Sequence, residues 1–97
     1  MELTREESDA RPAKEGDLRV WWIQNPPSQC LIYPVATVER AIAQLDALTK
    51  RDQRHSWVTS NAGGLEVYED GEWLDWYSED GEDLDEYAAG DKTEKGE

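Results

Sequence analysis

The chain has 97 residues, a single cysteine and a formal net charge of −13. This length allows one small domain with a modest core, and no apolar run approaches the roughly 18 residues of a membrane span. One cysteine excludes an internal disulfide and suits a reducing compartment, so a cytoplasmic location is expected. The negative charge disfavours direct binding to nucleic acid or to an anionic membrane.

The charge is concentrated in the last third of the chain. Residues 1–65 hold 9 acidic and 8 basic residues, whereas residues 66–97 hold 14 acidic residues and 2 lysines. Between Glu66 and Glu86 there are 11 acidic residues and no basic one. Such a segment attracts basic protein surfaces or cations, although solubility and disorder are a second explanation of the same composition.

Residues 1–16 show no hydrophobic period and therefore predict a disordered leader.

Two strands are predicted in the first half of the chain. The run LRVWWI (18–23) is apolar on both faces apart from Arg19, which is typical of a central strand. The run CLIYPV (30–35) predicts a neighbouring strand, and the prolines of QNPPSQ (24–29) predict a loop between the two.

A helix follows over residues 38–49. Thr37 is a suitable N-cap, and the cations Lys50 and Arg51 lie at the C-terminal end, where the helix dipole favours them. One apolar stripe at helical spacing is formed by Val38, Ala41, Ile42, Leu45 and Leu48. This stripe predicts the main helix of the core.

A β-hairpin is predicted around Asp70-Gly71. The runs LEVYE (65–69) and EWLDWY (72–77) flank this dipeptide, which favours a type I′ turn because both central residues adopt positive φ. In the resulting register one face, able to bury against the helix, carries Leu65, Val67, Leu74 and Trp76. The other face carries Tyr68, Trp73 and Tyr77, with Glu66 and Asp75 between them.

The hairpin segment EDGEWLDWY (69–77) is repeated ten residues later as EDGEDLDEY (79–87), and seven of the nine positions are identical. The second copy has lost both tryptophans, so it lacks the apolar area for another strand. The spacing of Leu84, Tyr87 and Ala88 favours one short helical turn docked on the domain. The sequence therefore predicts an α+β domain over residues 17–88, with element order ββαββ and about four strands, and a disordered acidic tail over 89–97.

The predicted register places like charges across the hairpin. Glu66 faces Asp75 and Glu69 faces Glu72, and such pairs are destabilising. Because this repulsion is retained in a folded hairpin, it suggests that the negative field has a function in binding. Five carboxylates over about 20 Å of hairpin give one charge per ~4 Å, close to the ~3.4 Å spacing of phosphates on one DNA strand.

Enzymatic chemistry has little support. The chain has one histidine, His55, and one cysteine, Cys30, with no glycine-rich phosphate loop and no Cys or His spacing typical of a metal site. An EF-hand alignment on Gly71 or Gly81 puts Glu66 or Trp76 at the first ligand position, so the calcium-loop pattern fails. We expect no enzyme activity, no cofactor and no metal site.

The segments RVWWI (19–23) and SNAGGLEVYEDGEWLDWYSEDGEDLDEY (60–87) resemble a family of small acidic bacteriophage proteins, some of them labelled superinfection exclusion or immunity proteins. The resemblance extends over about residues 18–87. It implies a phage-derived accessory protein of the host cytoplasm, of the kind that often inactivates a DNA-handling machine of the host.

Together these features predict a non-enzymatic inhibitor that presents a DNA-like acidic surface to a basic DNA-binding host protein, such as gyrase, a restriction or CRISPR nuclease, a polymerase or a repressor. The alternative is an exclusion or structural accessory protein whose acidic tail serves only solubility. A homodimer is left open. The predicted partner-binding residues are Glu66, Tyr68, Glu69, Asp70, Glu72, Trp73, Asp75, Tyr77, Glu79, Asp80, Glu82, Asp83, Asp85 and Glu86.

Overall fold

The computed structural model describes residues 2–25, 29–55, 58, 60–84 and 86–87. Within them, one five-stranded antiparallel sheet and two helices form the predicted α+β fold. The strands lie in the order β1-β3-β2-β4-β5, so β2 is central as predicted. In chain order the elements are β1 (Leu3–Thr4), α1 (Arg5–Asp9), β2 (Leu18–Gln24), β3 (Cys30–Val35), α2 (Val38–Gln53), β4 (Asn61–Glu69) and β5 (Glu72–Asp75).

The core lies between α2 and one face of the sheet. Thr37 caps α2 as predicted, because its Oγ1 accepts a hydrogen bond of 3.1 Å from the Arg40 N–H. Ala41 and Leu48 of the predicted stripe are fully or almost fully buried. From the sheet and the C-terminal segment the core receives Val20, Trp22, Tyr33, Leu65 and Leu84.

A buried carboxylate fixes α2 to the central strand. Asp52 lies one turn after Leu48, on the same face of α2 as the apolar stripe. It accepts hydrogen bonds from Trp22 Nε1 at 2.9 Å and from Gln24 Nε2 at 2.7 Å. Burial raises the pKa of Asp52, but these bonds and the neighbouring Arg51 outweigh burial and hold the pKa below its usual value. Asp52 is therefore ionised at neutral pH, and the Trp22 ring is held in one orientation.

The structure departs from the prediction at the N-terminus. Residues 3–9, expected in a disordered leader, form β1 and α1, and Leu3 pairs with Ile32 of β3. Thr4 and Glu7 form a capping box, in which each side chain accepts a hydrogen bond from the backbone N–H of the other residue. This T-x-x-E signal was present in the sequence, but a five-residue helix shows no hydrophobic period. The predicted tail over 89–97 and the two prolines of the 24–29 loop lie outside the described residues.

Strand β4 begins earlier and β5 ends earlier than predicted. Residues 61–64, which precede the predicted strand over 65–69, extend β4 along the whole of β2. Gly63 permits this pairing, because a Cβ there would overlap Trp22 Cε3 and lie 2.7 Å from Cζ3. Strand β5 stops at Asp75, since Trp76 turns into the core cluster after donating its N–H to the Leu65 carbonyl at 3.0 Å.

We expect Tyr33 to limit stability at alkaline pH. Its hydroxyl donates to Glu2 Oε2 at 2.6 Å, and burial together with this bond raises the pKa of Tyr33 to about 12. Because the folded pKa is raised, the stabilisation is complete below the ordinary tyrosine value and is lost as pH rises from about 10 towards 12. Urea unfolding should show a loss of about 1 kcal/mol per pH unit in this window. Tyr33→Phe should have a flatter pH profile there, and equal profiles would contradict the prediction.

Candidate protein-binding surface

The hairpin has the predicted turn and register. Asp70 and Gly71 both adopt positive φ, of 54° and 83°. The observed strand pairs run from Glu69 opposite Glu72 to Glu66 opposite Asp75, as expected from the sequence. The Asp70 N–H also donates to Glu15 Oε1 at 3.1 Å, which brings a further carboxylate to the tip. The tip of the hairpin is therefore a dense cluster of negative charge.

Glu66 is not part of this exposed negative surface. Its side chain is only 14 % exposed and accepts a hydrogen bond of 2.7 Å from Arg19 Nε, while Arg5 Nη1 lies 3.8 Å away. Arg19 stands opposite Glu66 on β2, so the carboxylate has a cation on one neighbouring strand and Asp75 on the other. The repulsion inferred between Glu66 and Asp75 is therefore offset by a partner 47 residues away in sequence.

One predicted contact aromatic lies against the same arginine, and a second packs against that ring. The guanidinium carbon of Arg19 lies 4.2 Å from the centroid of the Trp73 ring, and Tyr68 meets Trp73 edge to face at 5.2 Å. Arg19 Nη1 also donates to Ser8 Oγ and Asp9 Oδ1. These contacts order a cluster around the buried Arg19 side chain, which we call the Arg19 cluster: Ser8, Asp9, Arg19, Glu66, Tyr68 and Trp73. Tyr68 and Trp73 are thus engaged within the protein and are half-buried.

The remaining acidic residues form an exposed surface. Eight of them are exposed, and we call this set the acidic surface: Glu69, Asp70, Glu72, Asp75, Glu79, Asp80, Asp83 and Glu86. Among the described residues, no lysine or arginine nitrogen lies within 4 Å of any of these eight carboxylates. Glu82 is half-buried, and Asp85 lies outside the described residues.

The second copy of the repeated acidic segment, which begins at Glu79, packs on the domain instead of forming a strand. The Ser78 N–H donates to the Glu82 carbonyl at 2.8 Å, closing a loop in which Gly81 has a φ of 81°. Leu84 is buried, and the Tyr87 N–H donates to the Asp83 carbonyl at 2.9 Å, the i to i−4 bond of a helical turn. The predicted docking of Leu84 and Tyr87 is confirmed, whereas Ala88 lies outside the described residues.

The apolar side chains of β5 divide between core and surface. Trp76 packs on the core cluster and meets Tyr87 edge to face at 5.6 Å. Leu74, expected in the core, is 39 % exposed and lies outside the core cluster that contains Leu65 and the buried residues of α2. Tyr77 is 57 % exposed, so it is the predicted contact aromatic that the fold leaves most available.

Two residues near this surface were not singled out in the sequence. Arg19 anchors the Arg19 cluster, and the only signal for it was one cation in an otherwise apolar strand. Trp21 lies on the opposite face of β2 from Trp22, against Gly64, where a Cβ would be 2.7 Å from Trp21 Nε1. Alternation along a strand could have separated the two tryptophans, but it does not show which face α2 covers.

The described residues include no group of three or more His, Cys, Asp or Glu side chains arranged to hold a metal ion. In the same part of the chain, no helix has the length and apolar composition to cross a membrane.

Comparison with known proteins identifies a bacteriophage relative. The chain is 32 % identical over 80 aligned residues to a protein named superinfection exclusion protein from Salmonella phage P22, in a match covering 64 % of this chain and 78 % of the relative. The chain therefore belongs to the family of this bacteriophage protein, as its sequence resemblance indicated. No protein-family model matches the chain, and no solved structure matches it either.

Proposed function

We propose that this chain acts in superinfection exclusion, inside the host bacterium, as a binding protein without enzymatic activity. The name of the phage P22 relative supports the exclusion role. The acidic surface supports binding, because eight exposed carboxylates without a nearby described cation leave a negative field available to a partner. The partner we propose is a basic nucleic-acid-binding protein of the host, such as gyrase, a nuclease, a polymerase or a repressor.

Complementary charge supports this proposal better than imitation of DNA spacing. With Glu66 largely shielded by Arg19, four exposed carboxylates remain on the hairpin: Glu69, Asp70, Glu72 and Asp75. Over about 20 Å they average one charge per ~5 Å, which is sparser than the ~3.4 Å between phosphates of one DNA strand. The exposed ring of Tyr77 would add apolar contact, since aromatic residues dominate binding hot spots.

A second role of the acidic surface is favoured by the topology. Strand β5 lies at the edge of the sheet, where unpaired backbone groups invite pairing with another chain. Charged side chains on such a strand oppose edge-to-edge association. In this alternative Glu72 and Asp75 keep the exclusion protein soluble and monomeric, and exclusion depends on another surface.

Charge-neutral variants distinguish the two roles. The tip variant combines Glu69→Gln, Asp70→Asn and Glu72→Gln, and the control combines Glu6→Gln, Glu39→Gln and Asp46→Asn, which removes three exposed acids elsewhere. Host cells expressing each chain would be challenged with a panel of phages and plaques counted. We expect the parent and the control to lower plaque numbers and the tip variant to restore them. Partner capture from lysate should weaken as salt rises, because exposed charges are screened.

The other outcomes discriminate clearly. Exclusion by a monomeric tip variant as strong as by the parent would reject the acidic surface as the interface. If the tip variant excludes normally but self-associates in sedimentation, the edge-protection role is the correct one. If the parent excludes no phage in the panel, the exclusion role itself is rejected.

A further inference from the structure

The sheet leaves an open edge beside the C-terminal segment. Strand β5 pairs with β4 only as far as Glu66 opposite Asp75. Beyond this pair, residues 61–64 of β4 continue along β2, and no described strand lies on their other side. A cavity of about 200 Å³ occupies this position, between the open edge and the loop that carries Asp83. It is smaller than the roughly 300 Å³ or more of typical small-molecule sites, but it has room for the end of one long side chain.

The walls of this cavity are aromatic and acidic. Rings are contributed by Trp21, Trp76 and Tyr77, and carboxylates by Asp75 and Asp83. The close seating of Trp21 on Gly64, which has no Cβ, keeps the indole against the strand. Among the described residues, no lysine or arginine lines the cavity, and both carboxylates are exposed members of the acidic surface.

This combination suits a planar cation. Arginine stacks on aromatic faces and donates to carboxylates in a fixed fork, and tryptophan is the preferred ring for such a contact. The same chain already contains an example, in which Arg19 lies over Trp73 and donates to Glu66 and Asp9. The cavity has the equivalent rings and carboxylates, without a described cation among its lining residues.

We propose that this cavity receives an arginine side chain of the basic partner. The inference rests on the proposed binding role and specifies one contact within it. Arginine is favoured over lysine because its planar group can stack on a ring and pair with a carboxylate at once. The cavity then supplies specificity, while the hairpin tip supplies longer-range attraction.

The test is an NMR titration of the ¹⁵N-labelled full chain with the capped tripeptide acetyl-Gly-Arg-Gly-amide. Its matched control replaces arginine by citrulline, which is neutral and nearly the same shape. We expect the indole N–H signals of Trp21 and Trp76 to shift with the arginine peptide and to stay in place with citrulline. Asp75→Asn combined with Asp83→Asn should weaken binding about fivefold, the sum of two exposed charge contacts. The Asp83→Asn change keeps a side-chain oxygen that can accept the Glu86 N–H.

A charge-matched variant separates the cavity from the general field. Glu72→Gln combined with Glu79→Gln removes two exposed acids that do not line the cavity. It should weaken arginine binding less than twofold, since only screened charge is lost. Equal weakening by both variants, or equal binding of the citrulline peptide, would overturn the proposal.

The exclusion assay keeps the two proposals apart. If the tip variant loses exclusion while the arginine peptide binds the parent no better than citrulline, the cavity proposal is rejected and the acidic interface stands. Binding of arginine in the cavity by a parent that excludes no phage would support the cavity and reject the proposed function.

Discussion

Replacement of Arg19 by alanine should destabilise the protein by about 3 kcal/mol or more. The Arg19 side chain is 2 % exposed, and its removal leaves a hole beneath Trp73. It also leaves Glu66 without its buried counter-ion, 14 % exposed and facing Asp75 across the hairpin. Urea unfolding followed by tryptophan fluorescence measures the loss. Arg19→Lys should recover only part of it, because an ammonium cannot reproduce the fork that reaches Glu66, Ser8 and Asp9.

The two carboxylates that face each other on the hairpin should respond oppositely. Glu66→Gln should destabilise by on the order of 1 kcal/mol, because Arg19 loses a charged, hydrogen-bonded partner. Asp75→Asn, the matched change on the exposed partner, should be neutral or stabilising by up to about 0.5 kcal/mol. Cross-strand repulsion alone would make both changes stabilising. A gain in stability from Glu66→Gln would therefore contradict the Arg19 cluster as the main environment of Glu66.

Gly63→Ala should destabilise by about 3 kcal/mol, at the upper end of overpacking effects. The new Cβ would overlap the Trp22 ring and lie 3.1 Å from Leu45 Cδ2. Trp22 cannot move aside without loosening its hydrogen bond to Asp52. The free energy of unfolding in urea and the near-ultraviolet circular dichroism of the tryptophans should both change.

Gly64→Ala is the matched control for this substitution. Its Cβ would meet Trp21 at 2.7 Å on the opposite face, but Trp21 is half-buried and can shift towards solvent. We expect a loss of about 1 kcal/mol, near the lower limit for overpacking. Equal destabilisation by the two alanines would show that strand propensity, and not the Trp22 ring, sets the requirement for glycine at position 63.

Local signals in the sequence determined most of the secondary structure. The Asp-Gly turn fixed the hairpin register, because two residues with positive φ leave one way to pair the flanking runs. The stripe of α2 and the Thr37 cap likewise act within a few residues of chain. The resemblance of residues 60–87 to a phage family was also readable from the sequence, and the phage P22 relative confirms it.

The acidic surface was only partly predictable. Composition identifies the negative segment, but the exposure of each carboxylate depends on contacts distant in sequence. Glu66 was grouped with the exposed acids, but the fold leaves it only partly exposed, because it pairs with Arg19 from a strand 47 residues earlier. Leu74 was assigned to the core, but the folded protein leaves it at the surface. Charge pattern alone carries no information about which acid finds a buried partner.

The sequence by itself therefore determined the fold class, the hairpin, the core helix and the sign of the surface charge, since each depends on residues that are neighbours in the chain. Only the tertiary structure decided the N-terminal strand, the Arg19 cluster and the cavity beside residues 61–64. Each of these arises from contacts between segments that are distant in sequence: β1 with β3, β2 with β4, and the second acidic segment with an open strand edge. These contacts depend on how the elements pack, and no local pattern of residues specifies them.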